Sequence, residues 1–353
     1  MAREFFLALA ARGARFPIAA DLVLAEEPDG EAVRMDGERL GRVIERTARR
    51  FSTPLAIPLM DLRLEKADLL ALLGVPEAAR DGFRFAEPPP ADAIHRVEDA
   101  MEAPFAPRHR AHIESVRYVA RHTDLFPTGM VIGPFSLATK LLGDPITAVA
   151  LAGRGLTGED DPGVLTLERC LALAECAVVR SLTAQIRAGA RAMLICEPAA
   201  STVYLSPRQI ASGSPIFERF IIEPHLRLKQ RLDRAGADLI LHDCGELTPA
   251  MIEQFARRLH PAMLSLGSTV KLWEAAKVVP KDVVLYGNLP TKSFYSDAAM
   301  PVERVVELAR ELCRKMREAG HPHILGSECD VLDVPEARQT IWRKIRAMLE
   351  EAA

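Results

Sequence analysis

Arg234-Ala235-Gly236-Ala237-Asp238-Leu239-Ile240-Leu241-His242-Asp243-Cys244-Gly245 is the stretch that decides the fold. A helical pattern stops at Gly236, an apolar run of strand length follows, and that run ends in a histidine, an acid, a cysteine and a glycine. Gly236 reads as a helix C-cap, where the chain turns left-handed before entering a strand. The same punctuation recurs at Arg187-Ala188-Gly189 and Glu318-Ala319-Gly320, again ahead of apolar runs. Repeated helix-stop-strand units predict successive β/α units.

Working outward, apolar runs occupy residues 16–24, 54–61, 129–133, 191–196, 238–242, 262–266, 282–287 and 323–326. Their apolar character is nearly continuous, as expected of parallel strands covered on both faces. Helical periodicity fills 164–188, 216–235, 248–259, 301–319 and 335–350, with apolar residues every three or four positions. Eight strands alternating with helices predict an α/β protein with a closed (β/α)8 TIM barrel, residues 1–353 forming a single domain. Two connections are long: 63–128, which contains Glu87-Pro88-Pro89-Pro90, and 134–190. Both leave the C-terminal ends of strands and are expected over the barrel mouth. They read either as decorative helices or as a lid or partner-docking surface.

A hydrophobic fraction of 49% with 26% charged residues supports a large core, and a net charge of −3 gives no footprint for nucleic acid or an anionic membrane. No apolar run is long enough to span a bilayer. Phe5 to Ala11 is apolar, but Glu4 precedes it and Arg12 and Arg15 follow, so a short amphipathic helix is expected there rather than a signal peptide. Cys170, Cys176, Cys196, Cys244, Cys313 and Cys329 are scattered, which favours free thiols or a metal over a disulfide framework. A cytoplasmic location is the expectation.

Barrels of this kind carry their active sites at the C-terminal strand ends. Those ends hold Asp61, Gly133-Pro134-Phe135, Glu197, His242, Cys244, Asn288 and Cys329. Side chains alternate along a strand, so His242 and Cys244 share a side while Asp243 points away. Cys329 follows the last apolar run, next to the first strand on a closed barrel, and can meet them across the mouth. One histidine and two cysteines make a catalytic zinc site with a fourth position open. A structural zinc usually brings four closely spaced ligands, often as paired Cys-x-x-Cys, which is missing. The plain alternative is a buried cysteine beside a core histidine. Cys170, Cys176 and Cys313 fall in helical patterns and read as filler; Cys196 should face away from Glu197. Glu197 itself reads as a fourth, displaceable ligand, as a substrate-holding group, or as a loop acid before a proline turn. No Gly-x-Gly-x-x-Gly, Walker A or Gly-x-Ser-x-Gly pattern supports nucleotide-driven or serine-hydrolase chemistry.

Gly133-Pro134-Phe135-Ser136-Leu137-Ala138, Glu197-Pro198-Ala199-Ala200-Ser201, His242-Asp243-Cys244-Gly245, Gly287-Asn288-Leu289-Pro290 and Gly326-Ser327-Glu328-Cys329-Asp330-Val331 resemble, in this order, the uroporphyrinogen decarboxylase superfamily. The resemblance runs from about residue 16 to the end and implies its (β/α)8 barrel. The N-terminal Arg-Gln-Ala-Gly-Arg motif of true decarboxylases is absent; Ala19-Ala20-Asp21-Leu22 stands in that region. The His-x-Cys…Cys pattern is similar to the corrinoid-dependent methyltransferase branch. That likeness implies zinc on His242, Cys244 and Cys329, and methyl transfer between a methylcobalamin-type corrinoid on a partner protein and a small acceptor. The acceptor would be a thiol such as coenzyme M, or tetrahydrofolate; the reverse direction, from a methylamine or an aryl methyl ether, stays open. For a folate acceptor, Glu197 or Asp61 would handle the proton, and Asn288 completes the expected catalytic set. The chain lacks the Asp-x-His-x-x-Gly motif of a cobalamin-binding module, so the resemblance implies a separate corrinoid protein. The rival readings are a metal-free decarboxylase-like lyase with an arginine-lined cavity, and a barrel whose zinc is structural and whose mouth is a binding surface.

Overall fold

The computed structural model describes residues 2–350. Seven parallel strands pair in sequence order: β1 (Leu55–Ala56), β2 (Phe126–Ile132), β3 (Ala192–Cys196), β4 (Asp238–Asp243), β5 (Met263–Leu266), β6 (Val284–Leu289) and β7 (His323–Ser327). Every residue of β2, β3, β5 and β6 is buried, which is why these runs read as continuous rather than alternating. The sheet curls. Cys329, just past β7, lies with its Sγ 3.8 Å from the Sδ of Met60, just past β1.

The glycine punctuation holds. Gly189, Gly236 and Gly320 close the helices Pro162–Ala188, Glu223–Ala235 and Val302–Ala319 at φ of +114°, +70° and +55°. The expected helix at the N-terminus is Ala2–Ala11, with Phe6 and Leu9 buried. Two expected helices carry π turns, Glu218–Ile222 and Phe255–Leu259. Among the described residues no helix is long and apolar enough to cross a membrane.

Two expected strands differ. Run 16–24 does not form the eighth strand. Arg15 and Ile18 make isolated parallel bridges to Leu325 and Asp330, and Ala20–Leu24 is a short buried helix. Pro17 has no N–H to give a ladder, and the Ile18 N–H goes to the Ser327 hydroxyl instead of a carbonyl. A continuous apolar run does not tell a buried helix from a buried strand, so its second half was open to misreading. Run 54–61 pairs only at Leu55–Ala56 because prolines at 54 and 58 bracket it.

The connection 63–128 contains helices Leu64–Leu72, Glu77–Arg80, Ala93–Asp99 and Pro107–His122; the connection 134–190 contains Pro134–Leu141, Pro145–Ala152 and Pro162–Ala188. Buried polar contacts join the two. Asp68 pairs with Arg180, whose guanidinium stacks 3.6 Å from the Phe105 ring centroid, and Ser181 donates to Glu65 at 2.9 Å.

Candidate metal centre

The β4–β5 register sets Ser265 beside His242, and the Ser265 hydroxyl lies 2.8 Å from His242 Nδ1. An imidazole whose Nδ1–H donates to that oxygen presents its lone pair on Nε2. Nε2 is buried and has no hydrogen-bond partner. It belongs to the only group of metal-ligating atoms among the described residues that converges: His242, Cys244 and Cys329 offer one atom each, all within 4.8 Å of one another. Tetrahedral zinc with bonds of about 2.0–2.3 Å sets its ligands about 3.5 Å apart, so small side-chain movements reach binding geometry. An orphaned imidazole nitrogen and two thiols are a donor set that fits zinc.

The two sulfurs share protons. A hydrogen bond from Cys329 holds Cys244 below the ordinary thiol range against the effect of burial, and His242 and Lys292 add to it. The same hydrogen bond, with burial, pushes Cys329 up. One proton therefore leaves the pair readily and the second reluctantly. Burial opposes the charge on Lys292, but Cys244, Cys329 and Glu328 outweigh it and raise its pKa. Glu328 ties loops together: it accepts the Ser268 hydroxyl at 2.5 Å and the Lys292 N–H at 3.3 Å. That contact fixes the segment carrying Cys329 to the segments after β5 and β6. A cavity of about 700 Å³ opens beside Cys329, lined also by Met60, Asp61, Lys292, Asp21 and Asp330.

The remaining expected site residues are distributed around this centre. Asp61 sits on the cavity wall in the loop after β1; Arg63 binds it at 3.0 Å and Arg108 at 2.7 Å. Burial alone would raise its pKa, and these two guanidiniums reverse the sign. Asn288 is engaged: its Nδ2 donates to the carbonyls of Gly267 and Val270 at 2.7 and 2.8 Å, holding the loop after β5. Glu197 is fully buried and caps helix Pro134–Leu141, accepting N–H groups of Phe135 at 3.1 Å and Ser136 at 2.5 Å. Gly133 makes room for it, since a Cβ there would fall 2.3 Å from Oε2. Burial pushes the Glu197 carboxyl up to about 7. Its oxygens are not among the converging ligand atoms.

Sequence reading missed Ser265, Lys292 and Asp330. The signal for Ser265 was a lone hydroxyl inside the apolar run Met263-Leu264-Ser265-Leu266; Asp330 directly follows a ligand. Lys292 carried no signal.

Fold and site define an α/β protein with a histidine and two cysteines, a group that could hold a metal, gathered at the C-terminal ends of its parallel strands. The sequence profile described as Uroporphyrinogen decarboxylase (URO-D) matches residues 35–351, so the chain belongs to that family. Among solved structures, a "methyltransferase from Methanosarcina mazei" superposes with a TM-score of 0.65 at 16% identity, covering 98% of this chain and 97% of that one; at this identity the likeness is one of fold. No curated protein matches the sequence significantly.

Proposed function

We propose that this chain is a zinc-dependent methyltransferase that moves a methyl group between the corrinoid (cobalamin) of a partner protein and a small acceptor, a thiol or tetrahydrofolate. The observation that carries the reading is the convergence of His242, Cys244 and Cys329 beside an open cavity. Family membership and the methyltransferase among the structural neighbours point the same way. His242, Cys244 and Cys329 would hold the metal; when bound, zinc lowers the pKa of an acceptor thiol so that it reacts as a thiolate, and it adds no redox chemistry.

The chain's own residues do the rest. Ser265 orients His242 and fixes its tautomer. Glu328 holds the loop bearing Cys329, and Lys292 sets a positive charge beside the sulfurs. Asp61, clamped by Arg63 and Arg108, forms part of the cavity wall, while Asn288 and Glu197 act as positioning residues under the mouth. In this reading the barrel is closed, with segment 15–18 standing in the eighth position between β7 and β1. The insertions 63–128 and 134–190 surround the mouth and receive the corrinoid protein, because a methyl group must approach its acceptor closely and in line. Free cysteines fit a cytoplasmic enzyme.

The test is metal content, measured on protein purified under reducing conditions without chelator. About one zinc per chain, lost in His242→Ala and Cys329→Ser, is expected, followed by loss of the methyl–cobalt absorbance when methylated corrinoid protein and a thiol are added. A metal-free wild type would sink the proposal and leave the metal-free lyase reading of this family.

A further inference from the structure

We infer that a cavity at the N-terminal end of β7 binds an organic carboxylate, with Arg15 and Arg317 taking the carboxylate and an apolar floor taking its hydrocarbon body. The cavity lies at the other end of β7 from Cys329, and the inference does not depend on the methyl-transfer reading. About 390 Å³ in volume, it opens between helix Ala2–Ala11, helix Val302–Ala319 and the start of β7. That volume is within the range of small-molecule sites. Leu7, Ala10, Met316 and Leu325 line its apolar side. Among the described residues no carboxylate lines it, so nothing on its wall answers the two guanidiniums.

Arg15 is half-buried, and its Nη1 donates to the Leu349 carbonyl at 3.1 Å. Arg317 is exposed in the last turn of helix Val302–Ala319, where a cation suits the helix dipole. The dipole does not explain why Arg15 arrives from another segment to meet it. Neither arginine makes an ion pair among the described residues. At the mouth, by contrast, Arg34, Arg63, Arg108 and Arg338 each bind a carboxylate. Both free guanidiniums act on one sulfur: burial pushes the half-buried Cys313 thiol up, and Arg15 and Arg317 draw it back. Two cations from separate elements therefore converge on Cys313 at the cavity wall. His321 and His323 complete the wall without adding charge. Their Nε2 atoms lie 2.9 and 2.8 Å from the carbonyls of Val283 and Gly287, and burial lowers both pKa values, that of His323 to about 4. A guanidinium fork matches a carboxylate in geometry and charge, and the apolar floor favours a hydrocarbon body over a bare ion.

The purified protein should be titrated by calorimetry with hexanoate, acetate and 1-hexanol, while alkylation of Cys313 by iodoacetamide is followed by peptide mass spectrometry. Hexanoate should bind about tenfold or more tightly than acetate or the neutral alcohol. It should also slow alkylation at Cys313 several-fold and leave the rate at Cys176 unchanged. Arg317→Gln, an exposed change, should weaken hexanoate about tenfold and remove the protection of Cys313, with zinc content as in the wild type. Arg15→Gln tests the second cation in the same way, and the ranking of the three probes in the wild type stands without either variant. Equal binding of hexanoate and 1-hexanol, or of hexanoate and acetate, overturns the inference. So does hexanoate binding that leaves Cys313 unprotected, as capture by a metal elsewhere would, or protection that survives the loss of Arg317. No binding at millimolar hexanoate overturns it outright and leaves the proposed function intact.

Discussion

Ser265 costs the fold little and gives the centre its orientation. It is a small, buried side chain whose hydroxyl meets His242 Nδ1 at 2.8 Å, and removing it leaves the imidazole free to rotate or change tautomer. Ser265→Ala is therefore expected to weaken zinc affinity by about 10–100-fold in competition with a chromogenic chelator, with the unfolding transition of the metal-free protein nearly unchanged. An equal loss of stability and affinity would assign Ser265 to packing alone. His242, Cys244 and Cys329 were legible because imidazole and thiol at strand ends are rare without a purpose. Glu197 was not, because a sequence shows a carboxylate after a strand but not the two N–H groups of Phe135 and Ser136 that occupy it. Nor does it show that a lone serine in register with a histidine will be its partner.

Among the elements, the helix-stop glycines were the most legible feature, since left-handed backbone at a helix end has few other solutions. They are not equivalent. A Cβ on Gly236 meets nothing within 4 Å, whereas one on Gly189 falls 2.6 Å from the Ala120 Cβ. Gly236→Ala should cost about 1 kcal/mol from backbone strain, and Gly189→Ala clearly more, as chemical denaturation of both variants would read. The run at 16–24 was less legible, because Pro17 and continuous apolarity do not say where extended chain gives way to helix. The buried contact between helices Leu64–Leu72 and Pro162–Ala188 was invisible in sequence, as it joins Glu65 to Ser181 across 116 positions. Burial pushes the Glu65 carboxyl up to about 7, with Asp61 adding and Ser181 opposing. The folded state then binds the proton more tightly than the unfolded chain, so stability falls as pH rises from about 4.5 to about 7 and is level above. Glu65→Gln, which cannot ionise, should be nearly neutral at pH 4.5 and stabilising by up to about 3 kcal/mol at pH 8. A variant effect independent of pH would show that Glu65 ionises freely in the folded protein.

At the scale of the whole molecule, the centre joins distant parts of the chain: two ligands at the end of β4 and a third 85 positions after Cys244, past β7. A metal held there would bind the folded protein and not the unfolded chain, and so would stabilise by mass action, about 2.7 kcal/mol when free metal is a hundred times Kd. The fold should stand without it. The strands and the helices around them bury a continuous apolar core that reaches from Phe6 to Met348. Small zinc domains that unfold without metal have no such core. Chelation should therefore lower Tm by about 4 °C while the transition stays cooperative and the far-ultraviolet dichroism stays native. Re-adding zinc should restore the shift in wild type and not in Cys329→Ser, because that variant breaks the link between the two halves of the site. Collapse of the fold on chelation would mean that the metal is structural, with its coordination closed; no shift at all would mean that the three ligand atoms do not act together.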